Sequence, residues 1–401
     1  MQQHLKVALP VFIAAVLIVL SATLPATRVE RTVAASGAGP EENPSGWRLI
    51  APITYQNLTI FPVVSFRDAD TSDFATLDEA LSSGDAVVSE QGDYLRRTRD
   101  GRVPPGFSTG PQVNQLVLVN RGKRPLLLLA GEVVSGGKQD RIIGKDRIVP
   151  IGAAPLPLDV FCVEHGRWTG ASDQFSAANL MVHPSVREKA AVAQDQTQVW
   201  AAVRGEAQSV GSGNGSAVGS ASQSVTVEAA QAPISPQALS GAIAAAGTQS
   251  YQRIYKSSPI GASVESVTEE LRRRFDRATS GLKGEHVVGV VAAFGDEVAW
   301  SDIFASSALF DAYWPKLLRS YVVEAMTRPA VRETASLDDA RDFLRPITGH
   351  IEQESEPGVY EWRKQSVGQL SEIQLAALAP KPLTLHYLRV LHGDDRSPMV
   401  R

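Results

Sequence analysis

The chain has 401 residues, 43% hydrophobic and 20% charged, the proportions of a globular protein with one large domain or two ordinary ones. Its formal net charge is −4, and no Lys/Arg cluster interleaves with aromatic residues, which argues against a nucleic-acid binder. Cys162 is the only cysteine, so no intrachain disulfide can form, and within an apolar strand it reads as a small core residue.

Residues 7–26 are almost entirely apolar. His4 and Lys6 precede them, and Arg28 and Arg31 follow, the layout of an export signal. Val33-Ala34-Ala35 offers the small residues of a cleavage site, while a run of about 20 apolar residues also suffices for an uncleaved anchor. Either way the body is expected outside the cytoplasm, periplasmic or secreted. It touches the membrane only if residues 1–35 stay attached. Residues 36–46 are a polar Gly/Pro linker.

The folded part is expected over residues 47–393, as a single α+β domain, with 394–401 a tail. Asn57–Ser65 reads as a strand interrupted by Pro62, hence an edge or a bulge. Asp73–Leu81 reads as a short helix, Ala86–Glu90 as a strand, and 98–112 as loop. Gln115–Asn120 and Pro125–Val134 flank a turn at Arg121-Gly122-Lys123 and suggest a hairpin. Ile142-Ile143, Ile148–Ile151 and Leu158–Val163 add short strands. Turns every eight to twelve positions favour an antiparallel β-sandwich or barrel-like core with several packed helices.

A helix opens at His183-Pro184-Ser185, with Ser185 and Glu188 spaced as a capping box, and runs toward Arg204. Residues 205–249 are rich in Gly, Ser and Ala and are expected to be a flexible insertion. Ser266–Thr279 is an amphipathic helix capped by Ser266 and Glu269. His286–Phe294 and Glu297–Phe304 make a hairpin across Gly295-Asp296. Ser306–Thr327 is a long helix whose aromatic stripe is core packing, with Pro315 inside it. Ser336–Leu344 is a further capped helix, and Val359–Lys364 and Leu383–Leu391 return to strand.

The stretch from Leu126 to Trp168 concentrates ionisable groups in an apolar setting. Its LAGEVVSGGKQDR block spans Leu129–Arg141, and a VFCVEHGRW strand ends at Trp168. Paired glycines at Gly136 and Gly137 allow close backbone approach and offer amide donors for an anion. Lys138 and Arg141 add positive charge, and the guanidinium fork of Arg141 suits phosphate or carboxylate. Glu132, Asp140 and Glu164 are candidate acids and bases. Gln139, Arg167 and Trp168 complete the candidate ligand set, with Arg141 the expected partner of Glu132 and Arg167 of Glu164. The alternative is a salt-bridged hairpin rim in which the same charges pair locally.

His4, His165, His183, His286, His350, His386 and His392 include no HExxH motif, and no Cys/His spacing points to zinc. No GxSxG elbow marks a serine nucleophile. No metal site is marked by spacing, although Glu132, Asp140 and Glu164 could hold a divalent cation through oxygen ligands, and the sequence does not name a cofactor.

These blocks, with VVGVVAAFGDEVAWSDIFASSALFDAYWPKLL from Val287 to Leu318, resemble a bacterial domain family. It is named for its genomic association with ADP-ribosylglycohydrolases and rhodanese-type phosphatases. The resemblance covers roughly Trp47 to Gly393 outside the insertion. It implies a phosphorylated, ADP-ribose-like or nucleoside-like small molecule as ligand. Two readings follow. One is an exported protein acting on or binding such a molecule around Glu132 and Arg141. The other is a non-catalytic module of the cell envelope that binds or scaffolds.

Overall fold

The computed structural model describes residues 27–32, 46–97, 114–163, 172–204, 251, 259–328, 331–379 and 381–392. The segments 7–26, 98–112 and 205–249, read above as export signal, loop and flexible insertion, lie outside the described residues. So do Glu164, Arg167 and Trp168.

The α+β class and the antiparallel, barrel-like core hold. Hairpins build a ten-stranded sheet around the predicted His286–Phe294/Glu297–Phe304 pair, whose turn uses Gly295 at φ 69°. On one side follow Leu383–Leu391, Leu370–Ala377, Tyr360–Val367, His350–Glu356 and the edge strand Thr27–Thr32. That edge strand falls inside the stretch read as a leader. On the other side lie Leu58–Ser65, then Trp47–Leu49 and Ile53–Tyr55, which share its outer edge. Pro62 is tolerated for a specific reason. Trp47–Leu49 pairs with 63–65 and Ile53–Tyr55 with 58–60, so Pro62 sits in the gap where no N–H is needed.

Six further strands close a barrel: Arg141–Ile143, Leu156–Cys162, Gln115–Asn120, Ala86–Glu90, Phe175–Met181 and Glu132–Gly136. Period-two alternation fills its interior with Val88, Leu116, Leu118, Val134, Ile143, Leu158, Val160 and Phe175. The helix Leu77–Ser83 closes one end, with Leu77 and Ala80 in the barrel core. Thr76 caps this helix by accepting from Glu79 N, and its C-terminus stops at Gly84 with φ 79°.

The expected hairpin between Gln115–Asn120 and Pro125–Val134 does not form. Gln115–Asn120 pairs with Ala86–Glu90 and Leu156–Cys162 instead. Leu126–Leu128 leaves the barrel for a three-stranded sheet with Arg147–Val149 and Ala75–Thr76. Leu126–Ala130 is buried on every side, so it joins two cores at once, and its apolar run carries no information on which strand it pairs with.

Between sheet and barrel lies the long helix Ser307–Thr327, capped by the Ser306 hydroxyl accepting from Leu309 N. Its Phe310, Tyr313, Trp314, Leu317 and Tyr321 enter the largest core, as the aromatic stripe predicted. Pro315 lies within the helix. The helix Pro259–Thr279 begins earlier than Ser266 and packs Phe275 on Trp314 at 4.4 Å. Leu337–Phe343, with a Ser336/Asp339 capping box, covers the opposite face of the sheet. The Ser185/Glu188 box is absent. His183 is the N-cap of Pro184–Glu188, and the Ser185 hydroxyl donates to Glu324 at 2.6 Å. A π-helical turn, Lys189–Ala193, then leads to Gln196–Arg204.

Candidate functional site

The structure divides the charged block between the two ends of the barrel. Glu132 begins the strand Glu132–Gly136, and the Gly136–Arg141 turn follows it, so about 13 Å of strand separates them at about 3.3 Å per residue.

Glu132 lies at the helix-closed end and is 1% exposed. Its partner is not Arg141 but Lys316 from the long helix, at 2.6 Å. Lys316 also holds Asp78 at 2.5 Å, and the second Glu132 oxygen accepts from Leu129 N at 2.7 Å. Burial pushes the Glu132 carboxyl above its usual range, and Lys316 offsets this only in part because Asp78 shares its charge. This trio ties barrel, plug helix and long helix together.

The other end of the barrel is the one where the stretches 98–113 and 164–171, outside the described residues, join their strands. Here Arg141, Cys162 and Glu90 fall on the inward side in phase with Ile143, Val160 and Val88. Arg141 is directly opposite Cys162 in the ladder and is 1% exposed. Its Nη1 donates to the Gln139 carbonyl at 2.9 Å and to Gln139 Oε1 at 3.4 Å. Its Nη2 reaches Glu90 Oε1 only at 3.5 Å, and its Nε has no hydrogen-bond partner among the described residues. The turn around it is held by its own side chains. Asp140 accepts from the Ser135 hydroxyl at 2.8 Å and from Gly136 N at 3.4 Å. Gly137 N donates to Ser172, and Lys138 N to Glu90. Gly137 is obligatory, because its φ is +54° and a Cβ there would stand 2.4 Å from the Phe175 ring. The amides of Gly136, Gly137 and Lys138 therefore already have protein acceptors. What faces outward is the exposed Lys138 side chain, while the guanidinium of Arg141 stays buried inside the barrel.

A second polar cluster escaped the sequence reading. Asp302 and His386, both 0% exposed, sit on neighbouring sheet strands. His386 Nε2 is 2.9 Å from Asp302 Oδ1, and its Nδ1 is 2.5 Å from Asp146 Oδ2. Arg187 reaches the Asp302 carboxylate at 2.8 Å and the Ala130 carbonyl at 2.7 Å. Trp300 Nε1 donates to Asp302 at 2.8 Å, and Tyr321 also donates to it. Gly131 makes room for Arg187, since a Cβ would lie 2.6 Å from its Cγ. Burial pulls the His386 imidazole down, but Asp146 and Asp302 outweigh it and hold the ring above its ordinary value. Burial pushes Asp302 up, but Arg187 and His386 hold it far below the usual carboxylate range. Two anions and two cations balance, so this cluster is a charge-neutral clamp joining sheet, barrel and helices. A signal existed: a charge inside each of the apolar strands VAWSDIF and LTLHYLRVL, the criterion already applied to Glu132.

Among the described residues, no group of three or more His, Cys, Asp and Glu side chains is placed to hold a metal ion. No helix of the described residues is long and apolar enough to cross a membrane. No curated protein and no solved structure matches the chain. One family model does, over residues 46–390, a span that takes in the barrel, the sheet and both polar clusters. The chain belongs to the ARG and Rhodanese-Phosphatase-superfamily-associated Protein domain family, ARPP-1.

Proposed function

We propose that the protein binds a small phosphorylated or ADP-ribose-like ligand at the Gly136–Arg141 end of the barrel, with Arg141 as the anion anchor and Lys138 as a second cation. The observation that supports this is Arg141 itself. Its guanidinium is 1% exposed, and among the described residues its one carboxylate partner stands 3.5 Å away and Nε has no acceptor. A buried charge left so incompletely matched is costly, and an anion entering the barrel mouth completes it. A guanidinium fork favours a phosphate or carboxylate over a halide. The family description names the rhodanese-phosphatase superfamily, which agrees with a phosphate-bearing ligand.

The same geometry speaks for binding rather than turnover at this place. Asp140 holds its own turn, and Glu132 is at the far end with Lys316. Glu90 is the carboxylate beside the ligand, and it already pairs with Arg141.

A thermal-shift series with ADP-ribose, ribose 5-phosphate and inorganic phosphate tests the reading. At a hundredfold excess over Kd, binding stabilises by about 2.7 kcal/mol, so melting should rise for the phosphorylated ligands. Arg141→Gln should abolish the rise. No shift with any of the three, or an undiminished shift in the variant, would sink it. Residues 7–26 place this binding outside the cytoplasm in our reading. A fusion of residues 1–46 to a reporter active only after export should then give signal, and a silent, well-expressed fusion would refute export.

A further inference from the structure

Glu188, Ser371 and His392 are distant in sequence and meet at one rim of the sheet. Glu188 ends the helix Pro184–Glu188, Ser371 begins the buried part of the strand Leu370–Ala377, and His392 follows the strand Leu383–Leu391. His392 Nδ1 stands 3.0 Å from Glu188 Oε1, and its Nε2 stands 2.8 Å from Ser371 Oγ. A carboxylate only accepts, so Nδ1 carries the proton that faces Glu188. In the neutral ring Nε2 is then the acceptor, and the Ser371 hydroxyl donates to it. Ser366 Oγ is 2.8 Å from Ser371 Oγ and, with the Ser371 proton already directed at His392, donates to it.

Glu188 is kept ionised. Burial pushes its carboxyl up, but hydrogen bonds from His392 and Lys189 outweigh it and hold the group below its usual range. The His392 side chain is 21% exposed, so the imidazole reaches solvent, while Ser371 is 2% exposed beneath it. A carboxylate on Nδ1 and a hydroxyl on Nε2 are the two contacts of a serine-hydrolase triad. Such triads are recognised by geometry, whatever the chain order and without a GxSxG elbow. The barrel-mouth site shares no residue with it.

We propose that Ser371, His392 and Glu188 form a hydrolytic centre for small carboxylic esters. Ser371 Oγ attacks the ester carbonyl carbon and forms the Oγ–C bond as its proton passes to His392 Nε2. The C–O bond to the alcohol breaks, and the departing alkoxide takes that proton from Nε2. Water then attacks the acyl-serine, giving its proton to His392, and the acid leaves as Ser371 regains its hydrogen. Glu188 stabilises the imidazolium that forms in each half. Ser366, with its hydroxyl 2.8 Å from Ser371 Oγ, positions the attacking oxygen. Ser371 is 2% exposed beneath the His392 ring, so only a small acyl group can reach its Oγ.

The full chain, incubated with a fluorophosphonate probe and digested for peptide mapping, should carry the label on Ser371. It should also hydrolyse p-nitrophenyl acetate. His392→Ala should slow both by about a hundredfold or more, the usual weight of a general base. Glu188→Gln should slow them less, with urea midpoints reported for each variant to separate folding from chemistry. An unlabelled Ser371 in the wild-type protein overturns the proposal without recourse to any variant. Label on Ser366 in place of Ser371, or labelling at the wild-type rate in folded His392→Ala, overturns it equally. A purely structural Ser–His–Glu pin would move the urea midpoint but never accept the probe.

Discussion

Replacing Lys316 with methionine is the sharpest perturbation of the buried charges. Lys316 is 4% exposed, with Glu132 at 2.6 Å and Asp78 at 2.5 Å. Methionine keeps an unbranched stem in the same slot and deletes only the ammonium. Glu132 is then left 1% exposed with the Leu129 N–H as its remaining donor. Removing one partner of a buried pair typically destabilises by about 3–5 kcal/mol. Glu132→Gln is a milder change. Lys316 keeps Asp78, the amide oxygen still accepts one hydrogen bond, and the loss is one mispaired donor, about 1–3 kcal/mol. The double variant should lose less than the sum, because each single change leaves a group unmatched that the other removes. The burial that raises the Glu132 carboxyl also sets a pH dependence. The folded state holds that proton more tightly than the unfolded chain, so the penalty in Lys316→Met should shrink as pH falls through the raised folded value. Urea unfolding with unchanged m-values reads all four proteins. A Lys316→Met midpoint within about 0.5 kcal/mol of wild type, or a Glu132→Gln loss as large as that of Lys316→Met, would refute the reasoning.

Other outcomes follow from the same contacts. Asp302→Asn leaves Arg187 buried without its counter-charge and should destabilise by about 3–5 kcal/mol in urea unfolding, and a neutral result would contradict the clamp. The clamp also predicts the shape of stability against pH. Asp302 is depressed, so its contribution is present above the ordinary value of 3.8 and is lost as pH falls through the lower folded value. His386 is raised, so its contribution is complete below the ordinary 6.5 and fades as pH rises through the higher folded value. Both are complete between those two values. His386→Gln should flatten the alkaline limb and also weaken the acid limb, because His386 helps hold Asp302 low, as urea midpoints across pH would show. Gly137→Ala combines a φ of +54° with a clash at Phe175, so it should cost about 1–3 kcal/mol by the same assay and weaken phosphate-ligand binding together with stability.

Local chemistry was the legible part of the fold. Gly295-Asp296 announced a two-residue turn, and the spacing of Phe310, Trp314, Leu317 and Tyr321 announced a buried helix face. Partner choice was not legible. Leu126–Ala130 has no polar face to fix a register, so nothing local distinguishes a hairpin from the crossover into a separate sheet. Strands His350–Glu356 and Leu370–Ala377 were missed for a related reason. The polar residues of His350–Glu356 pair across the sheet, as Glu352 does with Lys364 at 2.7 Å, and HIEQESE reads as loop; Leu370–Ala377 is too mixed in composition to stand out. At the candidate site, residue types and the turn were visible in Gly136–Arg141, but the partners were remote. Glu132 finds Lys316 and Arg141 finds Glu90, separations of 184 and 51 positions that no spacing rule reaches. Ser185 shows the same limit on a smaller scale: its spacing to Glu188 fits a capping box, yet Glu324 takes its hydroxyl.

The incomplete coordination of Arg141 is the claim on which the binding assignment rests, and a crystal structure with the strongest thermal-shift ligand tests it directly. The account predicts an anionic oxygen of that ligand within hydrogen-bonding distance of Arg141 Nε, inside the barrel mouth and next to Glu90. Ligand density elsewhere, with Arg141 Nε still lacking an acceptor, would contradict it.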